Sequence, residues 1–135
     1  MPGSVVQDAL TGSNQLLDGT NITATGSGSA IDTGAVENVQ FELVTGTCTG
    51  TTTTCDLRVE ASNDSTFADS SESILLEYPT LTDASDDVTK RVTTFLDRRY
   101  VRADYTVAGT SPVFPITLTI RLPHDHRTVD GNFTA

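Results

Sequence analysis

Apolar and polar residues alternate along several segments of this chain, most clearly at 116–122. In that segment every second residue is Ile or Leu, and the residues between them are Thr or Arg. Successive side chains of a β-strand point to opposite faces, so the pattern predicts a strand with one buried and one wet face. No part of the chain shows the helical period of about 3.6 residues. The alternation therefore predicts an all-β fold.

Further strands follow from the same period of two and from the turn residues between them. We expect 38–44 and 55–61 to pair as a hairpin around a Thr- and Gly-rich turn, and the run Gly109 to Pro112 to form another turn. The predicted strands, about eight with two weak ones at the start, are 21–25, 30–33, 38–44, 55–61, 73–78, 88–95, 101–107 and 116–122.

Short strands at this spacing are typical of an antiparallel β-sandwich of the jelly-roll type. We expect the sandwich core at 36–122. An extended N-terminal arm with weak strands, 1–35, precedes it; the Gly, Ser and Thr content of this arm is equally typical of a flexible linker. A polar C-terminal tail, 123–135, lacks periodicity and is expected to hang free or to lie on a partner.

The chain is strongly acidic, with a formal net charge of −10 and a pI of about 4.3. Such a protein is repelled by phosphate backbones and by anionic membranes, so neither nucleic acid nor membrane is an expected partner. No apolar run approaches the ~20 residues that span a bilayer. The first residues lack the charged and apolar regions of a secretory signal, which predicts synthesis in a cytoplasm.

Residues able to perform acid–base chemistry are few. The two histidines, His124 and His126, lie in the polar tail, and no nucleophile elbow of the Gly-x-Ser-x-Gly type is present. These histidines lack a rigid third metal ligand, and the acidic run at 82–87 does not match a calcium loop. We therefore expect no catalytic residues, no metal and no cofactor, and predict that the protein is not an enzyme.

Two cysteines, Cys48 and Cys55, flank the sequence TGTTTT. One interpretation is a pair of free thiols that pack as small apolar residues. The other is a disulfide that closes a short loop and stabilises the fold by about 2–3 kcal/mol in the chain-entropy model. A reducing cytoplasm opposes the bond, whereas an oxidising environment after release permits it. The sequence leaves both interpretations open.

Five of the eight basic residues fall in one window: Lys90, Arg91, Arg98, Arg99 and Arg102. One interpretation is a solvated strand face on which these side chains offset nearby acids. The other is a docking patch, in which the arginines pair with carboxylates of a neighbouring subunit. In a molecule so acidic elsewhere, such a patch would orient the encounter with a partner.

Three segments resemble a known family. The run DRRYVRADYTVAGTSP at 97–112 combines an Arg-Tyr-Val-Arg strand with a Thr-Val-x-Gly-Thr-Ser-Pro turn. The segments AIDTG at 30–34 and LRVEASNDSTF at 57–67 look similar to parts of the same proteins. Together they resemble the capsid cement, or decoration, proteins of tailed bacteriophages, and the likeness extends over most of 16–122.

This resemblance implies a jelly-roll structural protein on the outer surface of the virion. Cement proteins clamp neighbouring major capsid proteins, often as dimers or trimers, so those are the expected partners. The family has no catalytic residues to transfer, and synthesis in the bacterial host's cytoplasm is implied. Two alternatives stay open: another virion component, such as a head fibre, tail or baseplate protein, and a β-sandwich module that binds carbohydrate or a cell surface.

Overall fold

The computed structural model describes residues 14–34, 38–68 and 73–121, and the regular structure of these residues is entirely β-strand. All pairings between the strands are antiparallel, so the predicted all-β, antiparallel class is confirmed. The strands are β1 (Asn14–Ile22), β2 (Gly26–Ser27), β3 (Ile31–Asp32), β4 (Asn38–Thr45), β5 (Thr49–Ser62), β6 (Ser73–Glu77), β7 (Leu81–Thr82), β8 (Thr89–Phe95) and β9 (Tyr100–Arg121).

The long strand β9 organises the sheet because its two ends have different neighbours. Residues 114–121 lie in a half ordered β1–β9–β4–β8, which we call the β4 half. Residues 100–110 lie in a half ordered β2/β3–β9–β5–β6/β7, which we call the β5 half. The whole sheet is nearly barrel-shaped, and β9 carries the backbone pairing from one half into the other.

The predicted hairpin between β4 and β5 is wrong. Both strands pair with β9, one after the other, so that Gln40 lies opposite Arg121 and Ser62 lies opposite Tyr100. The predicted turn at Gly109–Pro112 is also wrong, because these residues lie inside the continuous strand β9. Alternation predicts which residues are extended, but not which strands pair, because strand pairing depends on the burial of whole sheet faces. Residues that often form turns are used here to bend a strand instead.

The bend requires glycine at two positions where β5 and β9 pass from one half to the other. Gly109 has a φ of +105°, and a Cβ there would come within 2.6 Å of the Thr52 carbonyl oxygen. Gly50 has a φ of +123°, and the pairing of β5 with β9 shifts register on both sides of Thr51. A residue with a side chain cannot take either place without displacing backbone.

A single apolar cluster fills the interior and draws on both halves. The predicted burial of Ile116, Leu118 and Ile120 is confirmed, whereas Leu122 lies outside the described residues. Contacts across both halves hide apolar area from water, which is the main favourable term in folding. The largest fully buried side chains are Phe41, Phe114, Leu43, Leu57, Leu96, Ile116, Leu118, Ile120, Val39, Val59 and Val101.

The described part of the predicted arm lies along β9. Strands β1, β2 and β3 pair with it in succession, from Asn14 opposite Ile120 to Asp32 opposite Tyr100. Leu16, Leu17 and Ile22 are buried in the common core. The predicted tail, 123–135, lies outside the described residues, and the division into arm, core and tail remains a prediction.

Candidate interaction surfaces

The basic residues that the sequence grouped into one window lie on different elements. Lys90 and Arg91 are on β8, whereas Arg98 and Arg99 lie in the connection from β8 to β9, and Arg102 is on β9 itself. Within the part of the chain that the structure describes, Arg91, Arg98, Arg99 and Arg102 each make an ion pair, and Lys90 makes none. Each arginine must therefore be judged by what its guanidinium already contacts.

Arg99 ties the arm to the beginning of β9. Its Nε and Nη2 donate to the two carboxylate oxygens of Asp32 at 2.9 and 2.8 Å, in the bidentate geometry that suits guanidinium and carboxylate. Thr33 donates from its backbone N–H and its hydroxyl to the Arg99 carbonyl oxygen at 2.8 and 2.6 Å. The hydrogen bond from Arg99 holds the pKa of Asp32 below its ordinary value, and the Gly34 N–H adds to the effect. Arg99 thus has a structural partner.

Arg102 is the end of an ion-pair network on the outer face of the β5 half. Its Nε lies 3.2 Å from Glu60, which also pairs with Arg58 at 3.2 Å. Arg58 in turn pairs with Asp104 at 2.9 Å, and Asp104 accepts a hydrogen bond from Ser27 at 2.7 Å. Glu60 lies directly opposite Arg102, and Arg58 lies opposite Asp104. The network joins β2, β9 and β5, and each arginine in it has a carboxylate.

Phe67 covers the other side of Arg102, whose guanidinium carbon lies 4.3 Å from the ring centroid. The phenylalanine has a φ of +56°, which is unusual for a bulky residue. Asp64 holds this turn by accepting hydrogen bonds from the backbone N–H groups of Thr66 and Ala68 at 3.1 Å. This turn places the aromatic ring over the arginine.

The outer face of the β4 half has a different charge arrangement. Arg91 on β8 donates from Nε to Glu42 on β4 at 2.7 Å. Arg121, at the end of β9, approaches the same carboxylate only to 3.6 Å and donates from Nε to Gln40 at 3.0 Å. Two guanidinium groups therefore share one carboxylate. The Arg91 side chain is 61% exposed, which leaves its terminal amino groups open to a partner.

Charge divides unequally between the strands of the two halves. The β4 half carries three basic and two acidic side chains, for a formal charge of +1, namely Lys90, Arg91, Arg121, Asp18 and Glu42. The β5 half carries two basic and five acidic side chains, for a formal charge of −3, namely Arg58, Arg102, Asp32, Asp56, Glu60, Glu77 and Asp104. By this count of strand residues the β4 half is less acidic than the β5 half, while Asp86 and Asp87, in the connection that leads into β8, lie beside the end of β4.

Exposed apolar side chains add to the contrast. Phe95, at the end of β8, is 58% exposed, and among the described aromatic residues it is the one that lies mostly in solvent. Val44 is exposed on the same face of the β4 half, since alternation along paired strands places it beside Thr89 and in line with Glu42. Ile74, on β6, is the exposed large aliphatic side chain of the other half.

A groove with a volume of about 420 Å³ lies between β5, the 77–80 connection and Thr106 of β9. Thr80 donates from its hydroxyl to Asp56 across this groove at 2.5 Å. Tyr78 forms part of the wall, and burial raises the pKa of its phenol. The groove is therefore lined by carboxylate, hydroxyl and guanidinium groups without an aromatic platform in its solvent-exposed part.

Both cysteines are buried free thiols in the structure, and the disulfide stays a prediction. Burial, with a contribution from Asp56, raises the pKa of Cys55 to about 12. Burial and the charge of Asp86 also raise the pKa of Cys48, whose backbone N–H donates to Asp86 at 2.8 Å. The thiols therefore resist ionisation and the reactions that need a thiolate.

Within the described ranges, no group of three or more His, Cys, Asp or Glu side chains is placed to hold a metal ion. His124 and His126 lie outside those ranges. The same ranges contain no helix long and apolar enough to cross a membrane.

Sequence reasoning missed Arg121 and Glu42 as members of a surface cluster. The alternation at 116–122 places Arg121 on the outer face, but only the pairing of β4 with both β8 and β9 brings Arg91 and Arg121 to one carboxylate.

Comparisons with known proteins do not identify a relative of this chain: no protein-family model matches it, and no curated protein is significantly similar to it.

Proposed function

We propose that the two halves of the sheet are the facing layers of a jelly-roll β-sandwich. Four long segments, 14–32, 38–62, 73–95 and 100–121, each contribute strands to both halves. In both halves the order is first, fourth, second, third segment. Antiparallel segments that bend once and repeat their order in two sheets are characteristic of a jelly roll. The apolar cluster shared by the halves supports the same architecture.

On this scaffold we propose that the protein is a capsid cement protein of a tailed bacteriophage, a structural protein without catalytic activity or cofactor. It would bind the outer surface of the head and clamp neighbouring major capsid proteins. The supporting observation is that the three segments resembling this family are adjacent in the structure. AIDTG and LRVEASNDSTF flank the beginning of DRRYVRADYTVAGTSP on its two sides.

Specific contacts join these three segments. Arg99, from the longest segment, pairs with Asp32 of the first, and Arg102 pairs with Glu60 and stacks on Phe67 of the second. The resemblance is therefore carried by residues that form one connected part of the fold. This arrangement favours a shared scaffold over a chance likeness of three separate strand and turn sequences.

A cement protein strengthens the joints between capsid subunits, and a repeated lattice makes modest individual contacts sufficient. When several contacts of one oligomer engage together, avidity exceeds the affinity of each contact. The proposed partners are therefore the major capsid protein and further copies of this chain, as a dimer or trimer. The proposed location is the outer surface of the virion, with no role in binding nucleic acid or membranes.

The test is co-sedimentation of the purified protein with empty, expanded heads of the phage that carries the gene, followed by cryo-electron microscopy of the decorated heads. We expect saturable binding and ordered density at fixed positions on the capsid lattice. Density on tails or baseplates instead would favour the second virion role. Binding to glycans in the absence of any head binding would reject the cement proposal and favour a carbohydrate-binding module.

A further inference from the structure

We infer that the outer face of the β4 half is the surface that docks on the capsid, and that it binds a carboxylate-bearing surface of the major capsid protein. The face is defined by Glu42, Val44, Arg91, Phe95 and Arg121. This inference rests on the proposed function and adds which side of the molecule faces the partner and by what chemistry.

The two guanidinium groups of this face share a single carboxylate, that of Glu42. Arg91 uses Nε for Glu42, and Arg121 uses Nε for Gln40, which is neutral. The remaining ion pair, from Arg121 to Glu42, spans 3.6 Å and is too long for a hydrogen bond. The terminal amino groups of both arginines can therefore donate to carboxylates of another protein, and such charge-assisted bonds are among the stronger polar contacts.

Apolar surface lies beside these donors. Phe95 is 58% exposed and lies opposite Asn38. It is four residues after Arg91 on β8, so the two side chains point to the same face of the sheet. Val44 is exposed at the other end of that row. Arginine and aromatic side chains are the residues that most often anchor protein interfaces, because they combine large contact area with directed hydrogen bonds. The face thus offers both kinds of contact.

Charge determines the kind of partner. Contacts between copies in the proposed dimer or trimer form against the repulsion of two chains of net charge −10, whereas the arginines of this face attract an acidic surface of another protein. The β4 half, at +1, would be turned toward an acidic surface during encounter, while the −3 β5 half would be turned away. The other arginines of the window have carboxylate partners elsewhere: Arg98 pairs with Asp97, Arg99 with Asp32, and Arg102 with Glu60.

The experiment measures binding to expanded heads by co-sedimentation for the wild type, for Arg91→Gln/Arg121→Gln and for Phe95→Ser. The matched control is Arg98→Gln/Arg99→Gln, which also removes two positive charges, from side chains of similar exposure on another surface. We expect affinity to fall by about tenfold or more in the double variant, and to fall in Phe95→Ser, with less than about a twofold change in the control. Thermal unfolding of each variant verifies that the fold is retained.

The outcomes separate the two levels of the proposal. If the wild type binds heads and the double variant binds equally well, the docking face is wrong and the cement function stands. If the control loses as much affinity as the double variant, the effect is general charge and not this face. Sedimentation equilibrium measures the oligomeric state of the free protein. If the wild type is a dimer and the double variant is a monomer, the face mediates self-association and the inference is wrong. A wild type that binds no heads would overturn both proposals.

Discussion

The outer faces of the two halves differ in how their charges are matched. On the β5 half, Arg58 and Arg102 alternate with Glu60 and Asp104 in a continuous chain of ion pairs between β5 and β9, and Phe67 covers one end. On the β4 half, Arg91 and Arg121 share Glu42, and no aromatic ring of the described residues stacks on them. Breaking an ion pair at low exposure destabilises a fold, whereas an exposed pair contributes little to stability and leaves its arginine available to a partner. The difference teaches that the number of arginines on a surface does not identify a docking site.

The comparison depends on the bend that lets one strand serve both halves, and breaking that bend should have the largest effect. Gly109→Ala adds a Cβ within 2.6 Å of backbone atoms at a φ of +105°. We expect a loss of unfolding free energy of at least ~3 kcal/mol, from a strained conformation and a displaced neighbour together. Urea unfolding monitored by circular dichroism measures it.

Gly26→Ala provides the control, because a Cβ there meets Tyr105 at an ordinary 3.5 Å without a positive φ. Its expected change is less than ~0.5 kcal/mol. Equal stability of the two variants would show that β9 is not constrained at Gly109 in the way described.

The region where β4 passes into β5 should be dry, in contrast to both outer faces. Cys48 and Cys55 are buried, and the pKa of Cys55 is raised to about 12. Alkylation by iodoacetamide at pH 8 should therefore be about a hundredfold or more slower in the native protein than in urea, since the thiolate is the reactive form. Reaction at equal rates in both conditions would contradict this burial.

The same measurement tests the predicted disulfide. Without reductant, the unfolded protein should take up two alkyl groups if the thiols are free, as in the structure. Uptake of none before reduction and two after it would instead establish the bond.

Single arginine replacements compare the two faces directly. Arg102→Ala removes one of the two partners of Glu60, which is only 8% exposed, together with the contact to Phe67. We expect a loss of about 1–3 kcal/mol. Arg91→Ala removes a pair in which the arginine is mostly exposed, with an expected change within ~0.5 kcal/mol. Urea midpoints of the two variants, at equal slope, give the difference. Similar losses of unfolding free energy in both variants would contradict the view that Arg102 stabilises the fold and Arg91 does not.

The sequence predicts individual faces better than it predicts their combination. Alternation correctly assigns Ile116, Leu118 and Ile120 to the core, because the direction of a side chain depends only on its place along a strand. It does not predict that Arg102 meets Glu60 or that Arg121 meets Glu42, since these pairs depend on the register between distant strands. The prediction of a turn at Thr110, Ser111 and Pro112 is wrong because residues that favour turns also occur where a strand bends. The sequence therefore shows that the basic residues are close together along the chain, but not which acidic side chains they pair with.

The smallest predicted effect concerns acid stability on the β5 half. Asp32 accepts two hydrogen bonds from Arg99, which lower its pKa in the folded state below the ordinary value of 3.8. A group whose folded pKa is depressed stabilises the fold above its unfolded pKa, and that contribution is lost as pH falls through the folded value. The stability of the wild type relative to Asp32→Asn should therefore be constant from pH 7 to about 5 and decline below about pH 4. Because both side chains are exposed, the decline should be small. Urea unfolding of both proteins at several pH values measures the difference. The double variant Asp32→Asn/Arg99→Gln should follow Asp32→Asn over the same pH range, and a pH-dependent difference between these two would mean that another carboxylate is the partner of Arg99.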